Sequence, residues 1–184
     1  MVNSNTKPRI AFLDRDGVIN KQLKKNEKPY SPKNFSEIEI LSGVFEAITI
    51  LKQENFIPVV VTNQPDVARG ITTSEDVQVI NNKVCKMIGV KHVFTCFHDD
   101  NDKCPCRKPL NGLLMMAEAK LQIGLDGCIM VGDRLTDIEA GFSVGAKCYL
   151  VNNGESLAQS SIPYIKVRSL LSVALSERHK IGNQ

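Results

Sequence analysis

The chain predicts a doubly wound α/β fold: a mainly parallel sheet with helices on both faces. Three observations predict it. Short, nearly continuous apolar runs recur, segments with an apolar stripe at helical period fall between them, and each run stops at a polar cluster of different chemistry. Apolar runs of this kind belong to strands buried on both faces, which calls for parallel neighbours joined by right-handed helical crossovers.

Taken in order, "RIAFLD" (9–14) is the first strand, and the polar stretch 21–36 after it is expected to be an irregular loop beside the site. Val44, Ala47, Ile48 and Leu51 give the first helix its face, and "IPVVVT" (57–62) is the second strand. Val77, Ile80, Val84 and Ile88 line the next helix, with Thr72 and Glu75 spaced as a capping box at its start. "HVFTCF" (92–97) is the third strand. Leu110, Leu113, Leu114 and Ala117 define a helix with Pro109 in its first turn. "GCIMVGD" (127–133) and "AKCYLV" (146–151) complete the strands, and residues 168–180 form a final helix. The expectation is one domain over 1–184, with a core of about 9–152 and a metal loop at 96–106.

Composition narrows the function classes. With 42% hydrophobic and 23% charged residues the 184-residue chain has the make-up of a globular protein. A net charge of +3, spread without blocks of like charge, points to no nucleic-acid partner, and no run is long enough to span a membrane. The amino terminus lacks a signal-like apolar core, so a cytoplasmic location is expected; the expected state, a separate expectation, is a monomer. Cys85, Cys128 and Cys148 lie among apolar residues and read as small core side chains.

Ligands of such sheets bind beyond the carboxyl ends of the strands, so the residues that end each run carry the chemistry. Asp14 and Asp16, two apart at a strand end, put their carboxylates on one side if the extended geometry persists, and Gly17 lets the chain turn away. With Asp133 they make an oxygen site for a hard cation, Mg²⁺ above others. Alone, each part has a plainer reading: Asp-x-Asp-Gly as a solvated turn, Thr62 as a hydroxyl bonded to backbone, Lys108 as a surface charge. Their joint occurrence at successive strand ends favours a site.

Cys96, His98, Cys104 and Cys106 supply four soft or borderline ligands with no vacancy, the closed tetrahedral set of a structural Zn²⁺. Arg107 and Lys108 follow the last ligand directly, so fixing the loop on zinc fixes where two cations project.

"DRDGV", "VTNQ", "RKP" and "GDRLTD", in this order at strand ends, resemble the four motifs of the haloacid dehalogenase superfamily, over about residues 9 to 152. The cysteine and histidine loop running into "CRKP" is similar to the group of heptose-bisphosphate phosphatases and histidinol-phosphate phosphatases. "FHDDNDK" departs from the proline-containing loop common in both. The resemblance implies a Mg²⁺-dependent phosphomonoester hydrolase with Asp14 as nucleophile, Asp16 as general acid and base, and Thr62 and Lys108 on the phosphoryl oxygens. It further implies Mg²⁺ on the Asp14 carboxylate, the Asp16 carbonyl and Asp133, with Asp137 in support. Asn63, Arg69, Arg107 and Arg134 are expected to meet a small phosphorylated metabolite, Arg107 through a second phosphate. The expected reaction is loss of the 7-phosphate of D-glycero-D-manno-heptose 1,7-bisphosphate, with histidinol phosphate as the alternative substrate. A nucleic-acid 3′-phosphatase is disfavoured by 5% aromatic residues and no tryptophan, and a non-catalytic zinc module by four intact motifs.

Overall fold

A computed structural model describes residues 7–25, 28–32, 34–151 and 160–178. In chain order the elements are β1 (Arg9–Leu13), β2 (Leu23–Lys25), β3 (Lys28–Tyr30), α1 (Val44–Gln53), β4 (Phe56–Asn63), α2 (Ser74–Ile88), β5 (His92–Cys96), α3 (Gly112–Leu121), β6 (Ile129–Gly132), α4 (Leu135–Phe142), β7 (Lys147–Val151), β8 (Ile165–Val167) and α5 (Leu170–Arg178).

Six strands form a parallel sheet in the order β5-β4-β1-β6-β7-β8. The chain moves outward from β1 through β4 to β5, then returns to β6 on the other side. β1 is therefore the topological switch point, and the crevice at its carboxyl end is where such sheets bind ligands.

Side chains alternate across the sheet with period two, and the core divides accordingly. Ala11 and Leu13 of β1 face α1, α2 and α5, packing with Ile48, Val84 and Val173. Ile10 and Phe12 face the other layer, with Leu113, Leu114 and Ala117 of α3 and Ile138 of α4. Cys85, Cys128 and Cys148 are buried in these layers, and burial pushes each thiol up to about 11, which makes them inert core groups.

The sequence expectation needs four corrections of detail. The stretch 21–36 contains a small antiparallel hairpin, β2 and β3, with Leu23 paired to Tyr30. β8 is an additional edge strand. The α2 cap is Thr73, whose Oγ1 accepts the Asp76 N–H at 3.1 Å, so the Thr72 and Glu75 pairing does not form. Pro109 precedes α3, following a cis Lys108–Pro109 peptide; Leu110 N donates to Arg107 O at 2.9 Å and closes a turn, leaving Leu110 exposed. Residue 152 of the expected core and 179–180 of the expected last helix lie outside the described residues. Among those described, no helix is long and apolar enough to cross a membrane.

Candidate active site

Three neighbouring strands end at one place. β1 delivers Asp14, β4 delivers Thr62 and Asn63, and β6 runs through Gly132 to Asp133 and the start of α4. They border a cleft of about 460 Å³, lined by Asp14, Asp16, Thr62, Asn63, Arg69, Arg107, Lys108, Arg134 and Asp137. All the residues predicted to react with or hold a substrate therefore come together there.

Lys108 is the hub. Its ammonium donates to Asp14 Oδ1 at 2.6 Å and to Val61 O at 2.9 Å, and lies 2.5 Å from Asp137 Oδ1. An ammonium has three protons, so these contacts use all of them. Burial alone lowers a lysine, but the Asp137 and Asp14 carboxylates outweigh it and hold Lys108 above its ordinary value. The Lys108 main chain is clamped by the Asn63 side chain, which accepts its N–H at 3.2 Å and donates to its carbonyl at 3.1 Å.

The two acids of "DRD" separate. Asp14 turns toward Lys108, Asp133 and Asp137, whereas the Asp16 carboxylate takes hydrogen bonds from Arg15 Nε and NH2 (3.2 and 2.7 Å), Asn20 (2.8 Å), Ser31 (2.9 Å) and Gln64 (3.0 Å). Crowding of these two carboxylates at one spot, as extended geometry predicts, does not occur, because Arg15 and the residues after Gly17 capture Asp16. Burial raises the Asp16 pKa, but Arg15 and the amide donors prevail and hold it below the ordinary carboxylate range.

The acidic cluster is instead Asp14, Asp133 and Asp137, whose oxygens lie within 4.8 Å of one another. Asp137 thus stands nearer the centre than its expected supporting place. Burial and the Asp14 and Asp137 charges push Asp133 up to about 8; burial, offset in part by Lys108, takes Asp14 to about 6. Asp133 Oδ1 is buried without a hydrogen-bond partner. Repelled carboxylates and an orphaned oxygen are what a hard cation would relieve, so the donor set fits Mg²⁺. Gly17, at φ +92°, packs so closely on Asp133 that a Cβ there would overlap its carboxylate.

The second cluster lies one strand over. β5 pairs with β4 so that Asn63 faces Cys96, and the sulfurs of Cys96, Cys104 and Cys106 are 3.3 to 3.7 Å apart, with His98 Nδ1 at 3.4 Å from Cys106 and 3.6 Å from Cys96. A disulfide brings sulfurs to about 2.05 Å, while the edge of a tetrahedron built on ~2.3 Å Zn–S bonds is about 3.8 Å. The spacing fits zinc and excludes bridging. All six cysteines are free.

Of the remaining predicted residues, Thr62 Oγ1 accepts from Gln64 at 2.9 Å. Arg69 holds Asp99 with two bonds at 2.8 and 2.9 Å, Arg107 Nε donates to Asp100 at 2.7 Å, and Arg134 Nε lies 3.9 Å from Asp133. Arg15 and Gln64 sit inside two of the motifs but carry no assigned role there, and Asn20, Ser31 and Asn81 lie outside them, where a polar residue looks solvated; here Arg15 is 1% exposed and its NH1 donates to Asn81 at 2.6 Å.

Comparison with known proteins agrees with this geometry. Residues 105–165 match the HAD-hydrolase-like family. The chain is 32% identical over 163 residues to the D-glycero-β-D-manno-heptose-1,7-bisphosphate 7-phosphatase of Bordetella bronchiseptica, covering 84% of this chain and 88% of that protein. It is 28% identical over 183 residues to the D-glycero-α-D-manno-heptose-1,7-bisphosphate 7-phosphatase of Photorhabdus laumondii, covering 92% and 97%. The crystal structure of the D,D-heptose 1,7-bisphosphate phosphatase of B. bronchiseptica, complexed with magnesium and phosphate, superposes with a TM-score of 0.79 at 31% identity, over 91% of this chain and 97% of that one. With four motifs at the switch point of the same fold and relatives matched over most of its length, the chain belongs to the HAD-like hydrolases, among the heptose-bisphosphate phosphatases, and is a phosphatase.

Proposed function

We propose that this phosphatase removes the 7-phosphate of D-glycero-D-manno-heptose 1,7-bisphosphate, acting as a cytoplasmic monomer. The observation that carries the reading is the convergence of Asp14, Lys108 and the Asp133–Asp137 acids at the switch point, in a chain whose relatives are named for that substrate.

In the first step an Asp14 carboxylate oxygen forms a bond to phosphorus while the bond from phosphorus to the sugar oxygen breaks, and Asp16 gives that oxygen its proton. In the second, water attacks the aspartyl-phosphate, its proton passes to Asp16, and the bond from Asp14 to phosphorus breaks. Asp16 is held as a carboxylate by Arg15. A phosphate dianion arriving beside it raises its pKa, the direction a proton donor needs. Thr62 Oγ1 and the Lys108 ammonium hold the transferring oxygens, Lys108 exchanging a carboxylate contact for a phosphoryl one.

Mg²⁺ would be held by the Asp14 and Asp133 carboxylates and the Asp16 carbonyl, with Asp137 beside it, and would neutralise charge on the phosphoryl group. Cys96, His98, Cys104 and Cys106 would hold a structural Zn²⁺ that fixes the loop leading into Arg107 and Lys108.

The test is Mg²⁺-dependent phosphate release by zinc-replete protein from both anomers of the heptose bisphosphate and from histidinol phosphate. The five-residue spacer between His98 and Cys104 and "GDRLTD", which resemble the histidinol-phosphate phosphatases, are the features that favour histidinol phosphate. A kcat/KM preference for either heptose anomer supports the proposal and selects the anomer; preference for histidinol phosphate refutes it and keeps the mechanism.

A further inference from the structure

The cleft is rich in cations, yet each is paired. Lys108 is engaged by Asp14, Asp137 and Val61 O, Arg69 by both oxygens of Asp99 with Asp66 at 3.5 Å, and Arg107 by Asp100. These pairs do not open with equal ease. Asp99 is fixed twice over, since it also accepts the Asp100 N–H at 2.7 Å in the turn that follows. Asp100 has a single contact to Arg107, and its side chain is 77% exposed, whereas that of Arg107 is 18% exposed. A pair with one partner so exposed is weak. When it opens, Arg107 stays aimed, because its NH1 also donates to His98 O at 3.3 Å.

On the reading that the substrate is a sugar bisphosphate, we propose that Asp100 is a specificity-determining residue: its carboxylate holds Arg107 in the free enzyme and yields it to the substrate's second, non-reacting phosphate. A phosphate carries more charge than a carboxylate and offers three acceptor oxygens to the guanidinium fork, so it wins the exchange; a hydroxyl in its place does not. The product retains this phosphate, so a competitor built into the loop also shortens the product's stay. The two adjacent acids of "FHDDNDK", one on each of two cleft arginines, thereby acquire a reason: Asp99 anchors the loop and Asp100, which lines the cleft, contests the anion.

The experiment compares Asp100→Asn with the parent, zinc-replete and in Mg²⁺ at fixed ionic strength. The readout is the kcat/KM ratio of heptose 1,7-bisphosphate to heptose 7-phosphate, and of fructose 1,6-bisphosphate to fructose 6-phosphate, with inhibition by heptose 1-phosphate. Removing the competing charge is expected to raise both ratios roughly two- to five-fold and to tighten product inhibition by a similar factor. The rise should vanish when Arg107→Gln is already present. An unchanged or lower ratio overturns the proposal, as does a uniform loss on mono- and bisphosphates together with loss of bound zinc, which marks a purely structural loop residue. A parent without preference for heptose over fructose sinks the sugar assignment; if both ratios still rise, the role of Asp100 stands.

Discussion

Replacing Asp133 by asparagine is expected to stabilise the protein in the absence of Mg²⁺ while removing its response to Mg²⁺. The parent carboxyl rises from an ordinary 3.8 to about 8 in the fold, through burial and the Asp14 and Asp137 charges. Between those values the native state holds a proton that the unfolded chain has released. Stability therefore falls as pH rises through this window, by about 1.4 kcal/mol per unit per group, and levels off above the folded value. At pH 7, about three pH units above the ordinary value, this loss has reached about 4 kcal/mol. Part of that belongs to the shared repulsion among three acids, so a gain on the order of 2–4 kcal/mol is expected for Asp133→Asn. For a chain of this size it appears as a rise in Tm of roughly 5–10 °C. The assay is thermal unfolding of zinc-replete, magnesium-free protein from pH 4 to 9, repeated with Mg²⁺. The parent and variant curves should converge near pH 4 and separate toward pH 8, and Mg²⁺ should lift only the parent. A variant less stable than the parent at pH 7.5, or a difference independent of pH, refutes the reasoning.

Asp14→Asn should reduce phosphate release at least 10³-fold by removing the nucleophile, read by single-turnover kinetics; substantial residual turnover assigns that role elsewhere. Cys104→Ser should lower bound zinc and kcat together, because the loop that aims Lys108 loses a ligand; full activity in a zinc-free preparation would break that link. Gly132→Ala places a Cβ against the Asp137 side chain, so it should cost about 1–3 kcal/mol and weaken Mg²⁺ activation, measured by thermal unfolding and Mg²⁺ titration; parent-like values in both would show that Asp137 yields freely.

How much of this could be read from sequence depended on how far each signal reaches along the chain. "IAFL", "VVV" and "IMV" announce buried strands because every residue in them is apolar, and the residue that ends such a run is placed without further knowledge. Asp14, Thr62 and Asp133 were legible for that reason. β8 was not, since "IKV" is short and two of its three residues are exposed. The β2–β3 hairpin escaped because "LKK" and "KPY" have no apolar face to show. Asp16 lines the cleft, but whether its carboxylate joins Asp14 is not legible locally: it depends on Arg15, Asn20 and Gln64, and Gln64 is 48 residues away. Pro109 suited a helix start by composition, but the turn closed by Leu110 and Arg107 took it first.

The metal loop is tethered at both ends by parts of the fold that do not belong to it. Cys96 is the last residue of β5, and Gly112 N at the head of α3 donates to Pro105 O at 3.1 Å, with no room there for a Cβ. Between His98 and Asp99 on one side and Cys104 on the other, the exposed residues 100 to 103 can therefore lengthen, shorten or change charge while the ends that set Lys108 stay put. Selection is thus free to retune substrate preference by insertion and deletion in one surface segment, at little risk to the chemistry beside it.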